Sequence, residues 1–421
     1  MRKTWLYGAI GLLALGAVAY SQVPSVPQVT SINSNDLFQD VVNGFPQAGN
    51  QYASATLLGN YAASLGGNNP ENALIGGDAT TNLFAYGTTG SSVTTTVTYG
   101  GPNRWAYWSG ASTAMTVSQD STAADLPASG YEYAFKMART SGQTGVVQVC
   151  MAQEVESVNS YAFAGSTAEL DFHAIPGSNY SPASANVQPY IIYGTGADEG
   201  TNKLAFGLNA GGQGTVGWTG QVNLTANVAL GGGGRITFAA PIPATATEIA
   251  VAICFTPVGT AGTNDYVALS GIQLTRNSAL TAAAGSAGVG LFNDSRAKSF
   301  SRRSQALETT LQQRYYWKAS ESVTTDFGTC LAVSTTSGRC FIPNPTTMRV
   351  APTPTATVGS MTQTGSTGTQ INLTALAATS GATTQYGIGL TTTVTLGFTI
   401  GNAGILQSNS GTGAIGGNSE L

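Results

Sequence analysis

The chain has 421 residues, of which 42% are hydrophobic and 9% charged, with a formal net charge of −4. That length accommodates two or three domains. A charged fraction far below the usual quarter, together with 54 glycines, suits short strands joined by tight turns and not a helical enzyme. The weak net charge leaves no basic footprint for nucleic acid, and a single histidine leaves no Cys/His zinc set. The aliphatic and aromatic content argues against disorder over most of the length.

Arg2 and Lys3 precede an uncharged apolar run from Thr4 to about Ala19. This predicts a secretory signal peptide over residues 1–21, cleaved after Ala19 or Ser21. The alternative is a retained single membrane anchor, because the run approaches the ~18–20 residues that span a bilayer. Residues 22–79 are polar and irregular and read as an N-terminal arm or linker.

From residue 80 to 278 the strand signals are dense. Tyr131, Tyr133, Phe135 and Met137 alternate with Glu132 and Lys136, the period of a half-buried strand. Further strands are expected over 145–156, 167–174, 187–193, 234–239, 248–256 and 265–275, with Gly-rich or Pro-containing breaks between them. Many strands without intervening helices predict an all-β protein built on a jelly-roll-like β-sandwich.

Residues 279–320 read as a linker and one amphipathic helix, capped by Asp294 or Ser295. Its stripe is Phe300, Ser304, Leu307, Leu311 and Tyr315. Arg296, Lys298, Arg302, Arg303, Arg314 and Lys318 outnumber Asp294 and Glu308 over 294–318. Packing on its own β-domain is favoured over a place at a homo-oligomer axis, because so short a stripe cannot sustain a coiled coil alone. Residues 321–421 form a smaller Thr- and Gly-rich C-terminal β module, with its strongest strand signal over Leu390–Ile400.

Cys150 and Cys254 lie inside strand-like runs and read as buried free thiols. Cys330 and Cys340 bracket the turn signal Thr335-Thr336-Ser337-Gly338, so a hairpin would make them candidates for a disulfide in an exported chain.

The search for chemistry is mostly negative. His173 is the lone imidazole, and no G-x-S-x-G elbow accompanies it. Gly212-Gln213-Gly214-Thr215-Val216-Gly217 matches G-x-G-x-x-G but opens no helix, so it does not read as a nucleotide site. Glu154 with Glu156, and Glu169 with Asp171, could pair for glycan cleavage but are better explained as exposed solubilising charges. Asp198-Glu199 lacks the oxygen ligands of a calcium loop. No catalytic residue, metal or cofactor is therefore expected. The best candidate ligand contacts are aromatic. Strand alternation puts Trp105 and Tyr107 on one face and Trp108 on the other, where a ring could meet a sugar. Trp218, set among glycines, is a second candidate. Core packing is the commoner fate of such rings.

Several short motifs recur in a set order: Gln312-Gln313-Arg314-Tyr315-Tyr316, then Met348-Arg349-Val350-Ala351-Pro352-Thr353, then terminal Glu420-Leu421. With the early stretch Asn35–Ala48, this order resembles tailed-phage and prophage structural appendage proteins of the tail-fibre or head-fibre-like kind. In those proteins a lectin-like sandwich leads to a helix ending in a C-Q-R-Y-Y type motif, with Gln312 here at the Cys position, and an M-R-x-x-P-T β module. The resemblance implies a non-enzymatic virion protein in contact with other virion proteins and with host-surface glycan, assembled as a homotrimer. A secreted or membrane-anchored bacterial surface adhesin is the alternative, and a glycan-cleaving depolymerase the third. Location would be the virion or the extracellular surface.

Overall fold

The computed structural model describes residues 37–39, 52–54, 72–80, 91–93, 98–99, 104–109, 115–127, 130–204, 217–276, 289–292, 300–320, 326–357, 361–364, 370–379, 381–395, 397–408 and 414–419. The chain divides into two compact units, Met1–Pro70 and Glu71–Leu421. In the first, β1 (Leu37–Gln39) pairs antiparallel with β2 (Tyr52–Ser54). The expected signal peptide or anchor lies outside the described residues. No described helix is long and apolar enough to cross a membrane.

The second unit begins with a sandwich. Its strands are β3 (Ser91–Val93), β4 (Thr98–Tyr99), β5 (Ala106–Ser109), β6 (Met115–Asp120), β7 (Ala134–Arg139), β8 (Val149–Val155) and β9 (Thr167–Pro176). Then come β10 (Asn186–Gly194), β11 (Val222–Thr225), β12 (Val228–Ala229), β13 (Gly234–Pro241), β14 (Glu248–Phe255), β15 (Tyr266–Arg276) and β16 (Val289–Phe292). One sheet runs β16-β13-β9-β15-β7-β6-β3, the other β11-β10-β14-β8-β5-β4, with β12 paired to β10. Number β7, β8, β9, β10, β11, β13, β14 and β15 from one to eight. The sheet orders are then 1-8-3-6 and 2-7-4-5, the two interlocked Greek keys of a jelly roll. The all-β jelly-roll expectation is met, and the strands predicted from residue 145 to 275 lie within a few residues of β8, β9, β10, β13, β14 and β15.

Alternation builds the core. Phe135, Met137, Leu170, Phe172, Ile236, Phe238 and Leu269 from one sheet meet Val149, Met151, Ile191, Ile249, Val251 and Ile253 from the other. Full burial of each such side chain is worth about 1.5–3 kcal/mol. At Ser270–Gln273 the register of β15 slips in a bulge. Gly271 there has φ +59°, and a Cβ would sit 2.5 Å from the Tyr131 ring, so this turn requires glycine.

The boundary before the sandwich differs from the expected 79/80. Leu74 and Ala79 are part of the sandwich core. Gln153 donates to the Ile75 carbonyl at 2.8 Å and accepts from the Ile75 amide at 2.7 Å. Residues 72–80 thus belong to the jelly roll and not to the arm.

The helix is shorter than predicted. α1 spans Gln305–Gln313, nine residues, and its cap is Ser304, whose side chain accepts from the Leu307 amide. The expected caps, Asp294 and Ser295, lie outside the described residues. Phe300 precedes α1, Tyr315 follows it, and Leu307 is 49% exposed, so the proposed stripe is not one helical face. The buried positions are Glu308 and Gln312. Glu308 accepts from the Gly76 amide and pairs with Arg303 at 2.8 Å. These bonds turn a polar side inward against residues 72–80, where Leu311 adds a contact to the Ile75 and Tyr315 cluster. The helix packs on its own sandwich.

The C-terminal module starts at β17 (Tyr316–Ser320), earlier than the expected residue 321. It continues with β18 (Asp326–Ala332), β19 (Ser337–Pro343), β20 (Thr353–Thr357), β21 (Met361–Thr364) and β22 (Gln370–Asn372). The last strands are β23 (Ala375–Ala378), β24 (Gly387–Thr393), β25 (Ala403–Ser408) and β26 (Ala414–Asn418). Two sheets result, β17-β26-β20 and β22-β21-β25-β18-β19-β24-β23. They share a core that includes Trp317, Met348, Ile388, Leu390, Leu406 and Ile415. The strand expected over 390–400 ends at Thr393; Gly397, at φ +131°, stands where only glycine sits easily.

Both pairs of cysteines are joined. Cys330 and Cys340 face each other across β18 and β19 and form a disulfide. Cys150 and Cys254 also form one, correcting the reading of free thiols. They lie directly opposite on β8 and β14. Their separation of 104 residues hid a pairing that only the jelly-roll register creates.

Candidate functional site

Three neighbouring features occupy the outer face of the sheet containing β5, β8, β14 and β10. The first is aromatic. Trp108, Tyr190 and Trp218 pack with the Cys150–Cys254 disulfide and with Ala152, Ala250, Ala252 and Leu204. Small residues on β8 and β14 leave room for the rings. Trp218 donates its indole N–H to the Gly200 carbonyl at 2.9 Å. Trp105 and Tyr107 point the other way, into the inter-sheet core. The predicted alternation is correct, and the rings take the favoured fate of core packing and not the candidate one of ligand contact. Each of the four candidate rings, Trp105, Tyr107, Trp108 and Trp218, is at most 3% exposed, so none forms an open platform for a sugar. Trp108 fails as a surface ring because its face of the sheet is itself covered.

The second feature is a row of amides. Gln148 donates to Gln188 Oε1 at 2.9 Å and to the Tyr190 hydroxyl at 3.2 Å. Gln188 donates in turn to Asn227 Oδ1 at 2.8 Å. Gln188 is half-buried and Asn227 exposed. Here this face presents uncharged donors and acceptors to solvent. Sequence reasoning missed the row because its members come from the residue before β8, from β10 and from the segment before β12.

The third feature is acidic. Glu154 and Glu156, expected to be exposed, are buried, as are Glu169 and Asp171 on the opposite sheet. Strand alternation put them outside the core correctly, but other segments cover both outer faces. Glu248 accepts from the Gly196 amide at 3.2 Å and the Glu199 amide at 3.3 Å. Burial, reinforced by the facing Glu199 carboxyl, pushes Glu248 up to about 7. Glu199 moves the opposite way, held down by the Thr219 amide that donates to it. Burial also pushes Glu154 up to about 8, against the pull of Arg104. On the other outer face, Asp171 accepts from Thr237 at 2.7 Å and Gln273 at 3.3 Å. Burial and Glu169 raise it to about 7. The His173 ring stands 5.2 Å from Tyr131, and burial, then Arg235, lowers its pKa. Among the described residues no group of three or more His, Cys, Asp or Glu side chains could hold a metal ion.

The acidic end adjoins the C-terminal module. Arg104 lies with its guanidinium carbon 3.6 Å from the Tyr315 ring centroid and donates to the Glu154 carbonyl at 3.0 Å. Arg314 pairs with Glu156 at 3.2 Å, and Arg349 with Asp198 at 3.6 Å. The Arg349 amide donates to the Arg314 carbonyl at 2.9 Å, and the Ser419 amide to the Tyr315 carbonyl at 2.7 Å. Arg314 and Tyr315 of the Q-R-Y-Y motif, Arg349 of M-R-V-A-P-T and Ser419 beside the terminal Glu-Leu therefore meet in one junction. Residues of two motifs and Ser419, spread over more than a hundred residues of sequence, are one structural feature.

No protein-family model and no curated protein matches the chain. Solved structures are similar at a distance. The enzymatically active domain of bacteriophage CBA120 tailspike protein 4 aligns at 10% identity and TM-score 0.29 over 49% of this chain and 21% of that one. The CBM22-2 xylan-binding domain of Paenibacillus barcinonensis Xyn10C aligns at 14% identity and TM-score 0.23, covering 41% and 91%. The K2 cleaved adhesin domain of Lys-gingipain aligns at 12% and 0.21, covering 45% and 99%. The chain spans about a fifth of the tailspike domain's length. At such scores the strand order alone carries the fold.

Proposed function

We propose that this chain is a non-enzymatic structural appendage of a tailed-phage or prophage particle, in which the jelly roll is the presented module. The junction carries this reading. Arg314 and Tyr315 of the first motif and Arg349 of the second meet in one place. They fasten the C-terminal module to the sandwich, as a protein that must hold a binding domain in a fixed pose requires. The N-terminal arm would meet other virion proteins, and the assembly would be a homotrimer by analogy with the family. Mass spectrometry of purified particles tests the proposal: the chain is expected at stoichiometric abundance, and its absence from particles would refute it.

The presented surface would engage uncharged host glycan through the Gln148–Gln188–Asn227 row, since amides satisfy paired hydroxyls without a charge to desolvate. A glycan array with wild type and Gln188→Ala tests this; signal on neutral glycans that falls at least about tenfold, roughly 1.4 kcal/mol, is expected. No binding by wild type, or equal binding by the variant, would remove the row from the account.

One observation favours an exported surface adhesin as the second reading. Two disulfides, one of them fully buried, suit a chain that matures in an oxidising compartment. N-terminal sequencing of the mature protein separates the two: a start near residue 20 or 22 supports export, and an intact Met1 supports cytoplasmic assembly.

A further inference from the structure

Glu154 has both carboxylate oxygens buried and without a hydrogen-bond partner. Such a group is costly as an anion and tolerable as a neutral acid. Its strongest cationic neighbour is Arg104, and Arg104 is the residue whose guanidinium lies on the Tyr315 ring. Arg104 also has φ +71°, a left-handed conformation that a non-glycine residue holds only under constraint. Arg104 donates to the Glu154 backbone carbonyl at 3.0 Å, so the side chain that clamps the C-terminal module already reaches the residue whose carboxyl can compete for it.

We propose that Glu154 is a proton-operated release for the C-terminal module: when it loses its proton to solvent, the Arg104 guanidinium is drawn from the Tyr315 ring to the carboxylate and the junction loosens. The other groups acting on Glu154 come from three elements. Glu248 on β14 and Asp198 in the loop after β10 oppose its ionisation, and Arg349 of the C-terminal module favours it. Beyond them, Glu156 and Arg314 flank Tyr315. Tyr315 itself stays neutral, because burial pushes its hydroxyl up to about 12. Glu154 is neutral below about 8 and charged above it. The latch is accordingly closed in neutral and acidic surroundings and opens in alkaline ones.

Hydrogen-exchange protection factors of residues 314–318 at about pH 6.5 and about pH 9.5 test the release on the full chain. In wild type, protection is expected to fall at least about tenfold, the equilibrium change for one pKa unit. Glu154→Gln, permanently neutral, should keep its protection within about twofold, while Glu248→Gln should behave as wild type. Constant protection in wild type, a parallel fall in Glu154→Gln, or a fall abolished by Glu248→Gln would each overturn the proposal. A carbon-13 titration of the Glu154 carboxyl in the unaltered protein decides the matter should the variant not fold. A neutral acid at about pH 6.5 that titrates together with the loss of protection supports the release; an ionised one rejects it.

Discussion

The jelly roll and the C-terminal module bury their strands differently. In the C-terminal module β18 and β19 keep one face in water: they alternate buried and open positions, with one break at the β18 bulge, the period of a two-faced strand. In the jelly roll β8 and β14 are buried at every position. Their inner faces fill the core, and their outer faces are covered by the aromatic cluster and the acidic end. The same strand chemistry thus does two jobs. Where one face stays wet, a charged residue such as Arg339 is an exposed solvating group. Where both are covered, every charge must be neutralised, paired or hydrogen-bonded.

The largest effect expected from this difference lies in the disulfides. Removing Cys150 and Cys254 together opens a 104-residue separation in the jelly roll, whereas Cys330 and Cys340 close only ten. Chain-entropy scaling gives about 4.7 kcal/mol for a loop near a hundred residues and about 3 kcal/mol for one near fifteen. Denaturant midpoints of the two double alanine variants should rank in that order; the reverse would show that the outer face of β8 and β14 does not depend on its cross-link.

Next comes the buried ion pair of Arg139 and Asp265, 2.7 Å apart and fully enclosed. Arg139 also donates to the carbonyls of Gln143, Gly145 and Gly259. Arg139→Ala strands Asp265 and should cost about 3–5 kcal/mol, while Arg339→Ala in the C-terminal module should stay within about 0.5 kcal/mol. Equal costs in urea titrations would erase the contrast between the modules.

Stability should also depend on pH through the covered faces. Glu154, Glu248 and Asp171 hold their protons more tightly folded than unfolded. Their neutral forms are therefore fully favourable below about 4, and stability drains away as pH rises toward 7 and 8. Asp120 works in the opposite sense. Burial opposes its charge, but Lys136 at 2.8 Å and Thr122 outweigh that and hold it low. Its contribution is complete above the usual aspartate value and disappears as pH falls further. Thermal midpoints should therefore be highest in mildly acidic buffer. Asp171→Asn should flatten the upper limb by one to a few kcal/mol, and an unchanged limb would contradict the burial of that carboxyl.

The smallest effect concerns the helix. Leu307→Ser should change stability by less than about 0.5 kcal/mol and leave the solution mass unaltered, because Leu307 faces water. A drop in oligomer mass by light scattering would instead place this face of α1 at a subunit contact.

What could be read from the sequence follows the same division. Strand positions from residue 145 onward were legible because Gly and Pro breaks bound each apolar run. The opposite facing of Tyr107 and Trp108 followed from alternation alone. Exposure was not legible. Alternation separates the two faces of a strand but says nothing of what lies over the second, so Glu154 and Asp171 read as exposed and Trp108 as a candidate sugar contact beside its favoured core packing. The Cys150–Cys254 bond, the amide row and the junction depend on register and crossover between distant strands, which local pattern does not encode. The helix was overdrawn because Phe300 and Tyr315 share its spacing without sharing its backbone, and because Glu308 and Gln312 turn a polar side inward.

The account rests on the jelly roll and the C-terminal module behaving as one body held at Arg104, Tyr315, Arg314 and Arg349. Calorimetry of the full chain with Tyr315→Ala measures this most directly. Wild type at neutral pH should unfold in a single transition, and the variant, having lost the ring under Arg104 and its buried packing, should separate into two. Two transitions in wild type, or an unsplit one in the variant, would contradict it.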